Sequence, residues 1–292
     1  MSDGVILREN FYNGVYYPTN NQEIIYSIKN FFKIIQQSDK NKKKLDDIGN
    51  SILNKKILAF IVPHGAYYYS GLVSAFVYYL IGMIDCKNYI LLSSDHNGTS
   101  PGISIMNKGF WKTPLGNIEV DDHIALKLSN NSRDNFISID PYSLSIDYTI
   151  ETHLPFLQYV NKDFKFLPIL QKNQDKSSSI KLAELIYASI HDEEKIILIA
   201  TSNLTHYLNY YDCYKKDEEF LSSILSFDID SMYNNLDKNN LLNICGFGCI
   251  ATAMHFSKLG KNLDVFLLNH STSGDIDGNK SAVVGYGSLL FS

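Results

Sequence analysis

The chain has 292 residues, of which 45% are hydrophobic and 20% charged, with a formal net charge of −5. That describes a globular protein long enough for one large α/β unit, and the acidic balance argues against a nucleic-acid partner. The longest apolar stretch, 71–84, is too short to span a bilayer and is interrupted by Ser74, which argues against a membrane role.

Taken in chain order, the apolar periodicity predicts a helix over 21–37 and then a solvated loop at Lys40-Asn41-Lys42-Lys43-Lys44. A strand follows at 57–62, a buried helix at 71–84, and further strands at 89–94 and 102–106. Asp121-Asp122 signals a helix start, giving 121–130 and leaving His123 a first-turn residue. Next come a strand at 164–170, a helix at 176–190 ended by His191, and a strand at 196–202. Helices at 215–237 and 246–259 and strands at 264–269 and 282–291 complete the pattern. Short apolar runs separated by longer amphipathic segments predict an α/β fold, with a central, mostly parallel or mixed sheet and helices on both faces. No linker or repeat divides the chain, so a single domain over 1–292 is expected. Nothing in the first thirty residues has the basic, apolar, then small pattern of a leader. The four cysteines, 86, 213, 245 and 249, lack zinc-finger or CxxC spacing, so a cytoplasmic protein with reduced thiols is expected.

Three histidines sit where apolar strand runs end. The run 58–62 leads into Pro63-His64-Gly65-Ala66-Tyr67, 89–92 into Ser93-Ser94-Asp95-His96, and 196–200 into Thr201-Ser202-Asn203-Leu204-Thr205-His206-Tyr207. Ligands of open α/β sheets collect beyond the carboxyl ends of the strands, where imidazoles from separate strands can converge on one metal or substrate. His270 also follows a strand and is held in reserve; His255, inside a helix, is read as core or surface. Cys245 stands directly before the 246–259 helix. A helix N-terminus lowers a thiol's pKa, so a metal-binding thiolate is expected there, with Cys249 as the buried structural thiol.

Several segments resemble motifs of the MEMO family. Pro63-His64-Gly65-Ala66-Tyr67-Tyr68-Tyr69-Ser70-Gly71 is similar to its PHAGYxYSG signature, and Ser94-Asp95-His96 to its PSHH segment. Thr113-Pro114-Leu115-Gly116, Ile150-Glu151-Thr152-His153-Leu154-Pro155-Phe156, the 201–207 run and Cys245-Gly246 resemble TPLG, IExxLPF, SSDxxHY and CG. Val284-Gly285-Tyr286-Gly287-Ser288 resembles the closing VxYxS run, so the likeness covers most of the chain in family order.

The resemblance implies a fold like that of the class III extradiol dioxygenases, the LigB type, with cysteine in place of their carboxylate ligand. It implies His64, His96 and Cys245 as metal ligands and His206 as an acid–base group. His153 is placed with His206 as a catalytic candidate, and Tyr67, Asp95, Glu151 and Asn203 in the pocket. Two imidazoles and a thiolate suit iron, copper or zinc. Departures from the pattern are Gly65-Ala66 in reversed order, Asp95 for a histidine, Tyr148 for a histidine, Asn203 for aspartate and Thr205 for serine or cysteine. Metal-dependent redox chemistry or metal binding is the first expectation, with a small-molecule ligand, and simple catechol cleavage is not expected. The alternative is a non-enzymatic binding or scaffold protein using the same pocket. Phosphopeptide binding is disfavoured, because the pocket motifs hold no arginine.

Overall fold

Alternate residues of the apolar strand runs point to opposite faces of a sheet, and both faces are buried. Leu58, Phe60 and Val62 enter one core together with Tyr89 and Leu91. Ala59 and Ile61 enter the other with Ile90 and Leu92. A strand without a solvated face reads as a continuous apolar run, which is why these segments stand out in the sequence.

The computed structural model describes residues 6–55, 57–190, 195–239 and 243–292; His191 lies outside them. Strand β1 (Leu7–Arg8) and helices α1 (Asn21–Gln37) and α2 (Asp39–Ile52) precede β2 (Ile57–Val62) and α3 (Tyr67–Ile81). Next come β3 (Asn88–Ser94), β4 (Ile103–Ile105), β5 (Phe110–Thr113), β6 (Gly116–Val120), α4 (Asp122–Asn131), β7 (Ile137–Ile139) and α5 (Pro141–Ser145). A 3-10 turn over Glu151–His153 leads into α6 (Leu154–Val160), followed by β8 (Lys165–Gln171), α7 (Lys176–Ser189), β9 (Ile196–Thr201) and β10 (His206–Leu208). The chain continues through α8 (Tyr210–Leu225), α9 (Ile229–Asn239), α10 (Phe247–Leu259), β11 (Val265–Thr272), α11 (Gly274–Asp277) and β12 (Val283–Phe291).

The expected α/β architecture is what the chain forms. At the centre of the sheet, β6, β8, β3, β9 and β2 run parallel in that order. Antiparallel β12 closes one side of this block, and the β5–β6 hairpin lies on the other, so the sheet is mixed. Helices α1, α2, α3 and α6 cover one face; α4, α7, α8, α9 and α10 cover the other. No helix among the described residues is long and apolar enough to cross a membrane.

Three sequence expectations are corrected. The lysine run 40–44 is not a loop but part of α2, capped by the Ser38 hydroxyl on the Asn41 N–H. Leu45, Ile48, Gly49 and Ile52 form its buried stripe, one helical turn apart, while Lys42 pairs outward with Asp46 at 2.6 Å. The helix expected over 215–237 is two helices, since Phe227 takes a left-handed φ of 58° and Asp228 caps a new start at Ser231 N–H. Helix α3 begins at Tyr67 rather than residue 71, directly behind His64.

Candidate metal centre

The site lies beyond the carboxyl ends of three adjacent parallel strands. In the register, Thr201 of β9 stands opposite Val62 of β2 and Ser93 of β3. His64 and His96 therefore emerge on either side of β9. Cys245 arrives from a different part of the chain, just before α10, 181 residues from His64. Gly246 makes that approach possible: a Cβ there would stand 2.5 Å from the Thr201 carbonyl oxygen and 2.7 Å from Ser202 Cβ.

One donor atom from each of His64, His96 and Cys245 lies within 4.8 Å of the others. His64 Nε2 is 3.2 Å from Cys245 Sγ, and the two imidazole centroids are 4.8 Å apart with planes at 88°. The rings are oriented by their outer nitrogens. His96 Nδ1 donates to the Ser94 carbonyl at 3.0 Å, which leaves Nε2 as its lone-pair atom. His64 Nδ1 is 2.6 Å from the Thr201 hydroxyl, and its main-chain N–H donates to Asn203 Oδ1 at 3.1 Å. Burial, with His96, His153 and His206 nearby, pushes the His64 pKa well below the usual imidazole range, so the ring is neutral and able to ligate.

The cysteine expectation needs correction in one respect. Burial pushes the Cys245 thiol up to about 11, outweighing the N–H of Asn203 and the Ser202 hydroxyl, which favour thiolate. Without a metal the group is a thiol. Its donor set nevertheless fits a borderline metal, two imidazole lone pairs and one thiol sulfur; donors spread over up to 4.8 Å need only draw together slightly for bonds of about 2.0–2.3 Å to meet at one point. Cys86, Cys213 and Cys249 are free thiols in buried positions.

The remaining candidates divide between the centre and its supports. Asn203 belongs to the centre: its side chain holds the His64 backbone, and its N–H donates to Cys245 Sγ at 3.2 Å. His153 Nε2 lies 3.0 Å from the same Thr201 hydroxyl, and burial lowers its pKa to about 3. His206 opens β10 beside the centre, with its pKa lowered by burial and its buried Nδ1 unpaired among the described residues. Asp95 folds back on its own loop and accepts the N–H groups of Asn97, Gly98 and Ser100 at 3.0, 2.9 and 2.7 Å. Tyr67 donates to the Thr152 carbonyl at 2.8 Å and packs on Phe156. His270 pairs with buried Asp217 at 2.9 Å, and His255 lies 3.7 Å from Glu184.

Glu151 anchors the N-terminal segment. It forms a buried ion pair with Arg8 and accepts from Phe11 N–H at 3.2 Å, Tyr12 N–H at 3.0 Å and Tyr17 hydroxyl at 2.6 Å. That segment carries Tyr16, whose ring stacks on Tyr148 at 4.3 Å; Tyr148 in turn stands 5.9 Å from the His64 ring and 5.5 Å from His96. Sequence reasoning noted Tyr148 only as a substitution and missed Arg8, Tyr16 and Thr201. Thr201 had a usable signal, being the last residue of a strand whose neighbours each lead into a histidine two residues on.

Comparisons with known proteins identify the family and the fold. A family model described as "Memo-like protein" matches residues 8–290. A MEMO1 family protein of Thermoplasma acidophilum is 33% identical over 278 residues, covering 95% of this chain and 96% of that one. Another, from Sulfurisphaera tokodaii, is 38% identical over 238 residues, covering 80% of this chain and 82% of its own. The crystal structure of an uncharacterized protein of Escherichia coli K12 shares the fold, with a TM-score of 0.53 at 11% identity, over 80% of this chain and 99% of that one. Strand-end histidines, a distant cysteine brought beside them and a family match running almost end to end lead to one conclusion: the chain belongs to the Memo-like protein family.

Proposed function

We propose that this protein binds one iron, copper or zinc ion through His64 Nε2, His96 Nε2 and Cys245 Sγ and, with iron or copper, uses it in redox chemistry on a small molecule. The observation that carries the reading is the convergence, within 4.8 Å, of three donor atoms from well-separated segments. A bound iron or copper would supply one-electron chemistry at a position left open by a three-ligand set.

The chain's own residues supply the rest. His96 is exposed, which gives a ligand an approach from solvent, and Tyr148 with Tyr16 forms an aromatic wall beside the imidazoles. His206, close enough to His64 and His96 to interact with both, is the acid–base group for a molecule held there. A thiolate ligand is itself oxidisable beside activated oxygen, which argues against simple catechol cleavage. A phosphorylated peptide is not the ligand we propose, because the Arg8 guanidinium is committed to Glu151 and the Asp147 carbonyl.

The test is metal analysis of protein purified without added metal or a chelating column, alongside Cys245→Ser. Wild type should carry about one metal per chain, and the variant should lose most of it with an unchanged circular dichroism spectrum, since a hydroxyl does not ionise as a thiol does. Equal metal content in the two proteins would overturn the assignment.

A further inference from the structure

The hydroxyl of Thr201 bridges two buried imidazoles. Its Oγ1 lies 2.6 Å from His64 Nδ1 and 3.0 Å from His153 Nε2. A hydroxyl has one proton to give, so it can accept from one ring while donating to the other. The direction is set at the far end of the array. Cys245 Sγ is 3.2 Å from the Asn203 main-chain N–H, which can only donate, and 3.2 Å from His64 Nε2. That N–H uses one sulfur lone pair, and of the three acceptors in reach of the thiol proton, His64 Nε2 at 3.2 Å is nearer than the Asn203 carbonyl at 3.8 Å and the Ser202 hydroxyl at 3.9 Å, so the proton goes to Nε2. His64 then carries its hydrogen on Nδ1 and donates it to Thr201. The Thr201 hydrogen turns to His153 Nε2. His153 Nδ1 has no partner among the described residues in either polarity, so it favours neither.

We propose that Thr201 is a positioning residue for the metal centre: its hydroxyl holds His64 as the Nδ1–H tautomer, with the Nε2 lone pair aimed at Cys245 before any metal arrives. The proposal rests on the metal-binding reading above. When metal binds, Cys245 gives up one proton to solvent and His64 needs no change of tautomer. Without the hydroxyl, Nδ1–H would face a methyl group. A buried unpaired N–H is unfavourable, so the ring would move its hydrogen to Nε2, opposite the sulfur, and block its own ligating atom.

The test compares Thr201→Val and Thr201→Ser with wild type by two readouts. Competition with a chromophoric chelator gives the Zn(II) dissociation constant, and long-range proton–nitrogen spectra of metal-free, 15N-histidine-labelled protein give the His64 tautomer. Valine should weaken zinc binding by about 10–100-fold, the usual cost of losing a hydrogen bond that orients a ligand, and should move His64 to the Nε2–H form. Serine should restore both. Thr201→Ala, which crowds less, serves if the valine variant does not fold. Wild-type affinity and tautomer in the valine variant, or an Nε2–H His64 in the wild type, would overturn the proposal. Absence of zinc binding by wild type would refute the metal reading instead, and the spectra would still decide whether Thr201 sets the tautomer.

Discussion

His153 makes the stability of this protein depend on acid in a calculable way. Its ring is 2% exposed and its pKa is lowered to about 3 by burial, whereas in the unfolded chain it titrates near the ordinary imidazole value of about 6.5. Below pH 6.5 the unfolded state takes up a proton that the folded state refuses. The contribution is therefore fully present above about pH 6.5 and is lost as pH falls, levelling off near 3. At about 1.36 kcal/mol per pH unit, the loss between pH 7.5 and 5.0 is about 2 kcal/mol. His153→Gln keeps a polar group of similar reach toward Thr201 but has nothing to protonate. Urea unfolding in EDTA and reductant, at both pH values, should show wild type losing about 2 kcal/mol more stability than the variant. Titrating groups that do not interact with His153 cancel in that difference. Parallel losses in the two proteins would refute the reasoning and mean that His153 is solvated or protonated in the folded state.

Two further outcomes follow from the supports of the site. Glu151→Gln leaves the Arg8 guanidinium buried without its counter-charge, so stability should fall by about 3–5 kcal/mol in chemical denaturation. Protease cleavage near residues 9–16 should become faster as the segment detaches, and wild-type resistance would show that the segment is held by other contacts. Gly246→Ala places a methyl group against the Thr201 carbonyl, which as backbone cannot swing aside; a loss of about 1–3 kcal/mol and weaker metal retention are expected. A variant as stable as wild type, with full metal content, would show that the Cys245 turn is slack.

Much of the architecture is legible in the sequence because buried parallel strands are apolar on both faces, and 57–62, 89–94 and 196–202 announce themselves that way. The lysine-rich α2 is hidden because its charges dominate a local reading, while the stripe that makes it a helix, Leu45 to Ile52, lies mostly beyond the charged run. Very short strands such as β7 and β10 have no periodicity to detect; pairing partners far along the chain define them. At the site, the residue types able to hold a metal could be named from their positions at strand ends and from the family resemblance. The roles of the supports could not. Thr201 matters because of register, and Glu151 because of a hydrogen-bonding partnership with residues 8–17; neither is written in local sequence.

Strand β12 carries a consequence for how the molecule comes into being. Leu289, Leu290 and Phe291 pair with Ile61, Phe60 and Ala59, and Val283 and Val284 hold the short strand that begins at His206. The pairing with β2 joins segments more than two hundred residues apart, and such pairings form slowly because the intervening chain must first be brought to order. On a ribosome, His64 and His96 emerge long before the strand that completes their surroundings. A nascent chain thus carries these imidazoles unassembled, and the surroundings in which they meet Cys245 are complete only once β12 has paired with β2.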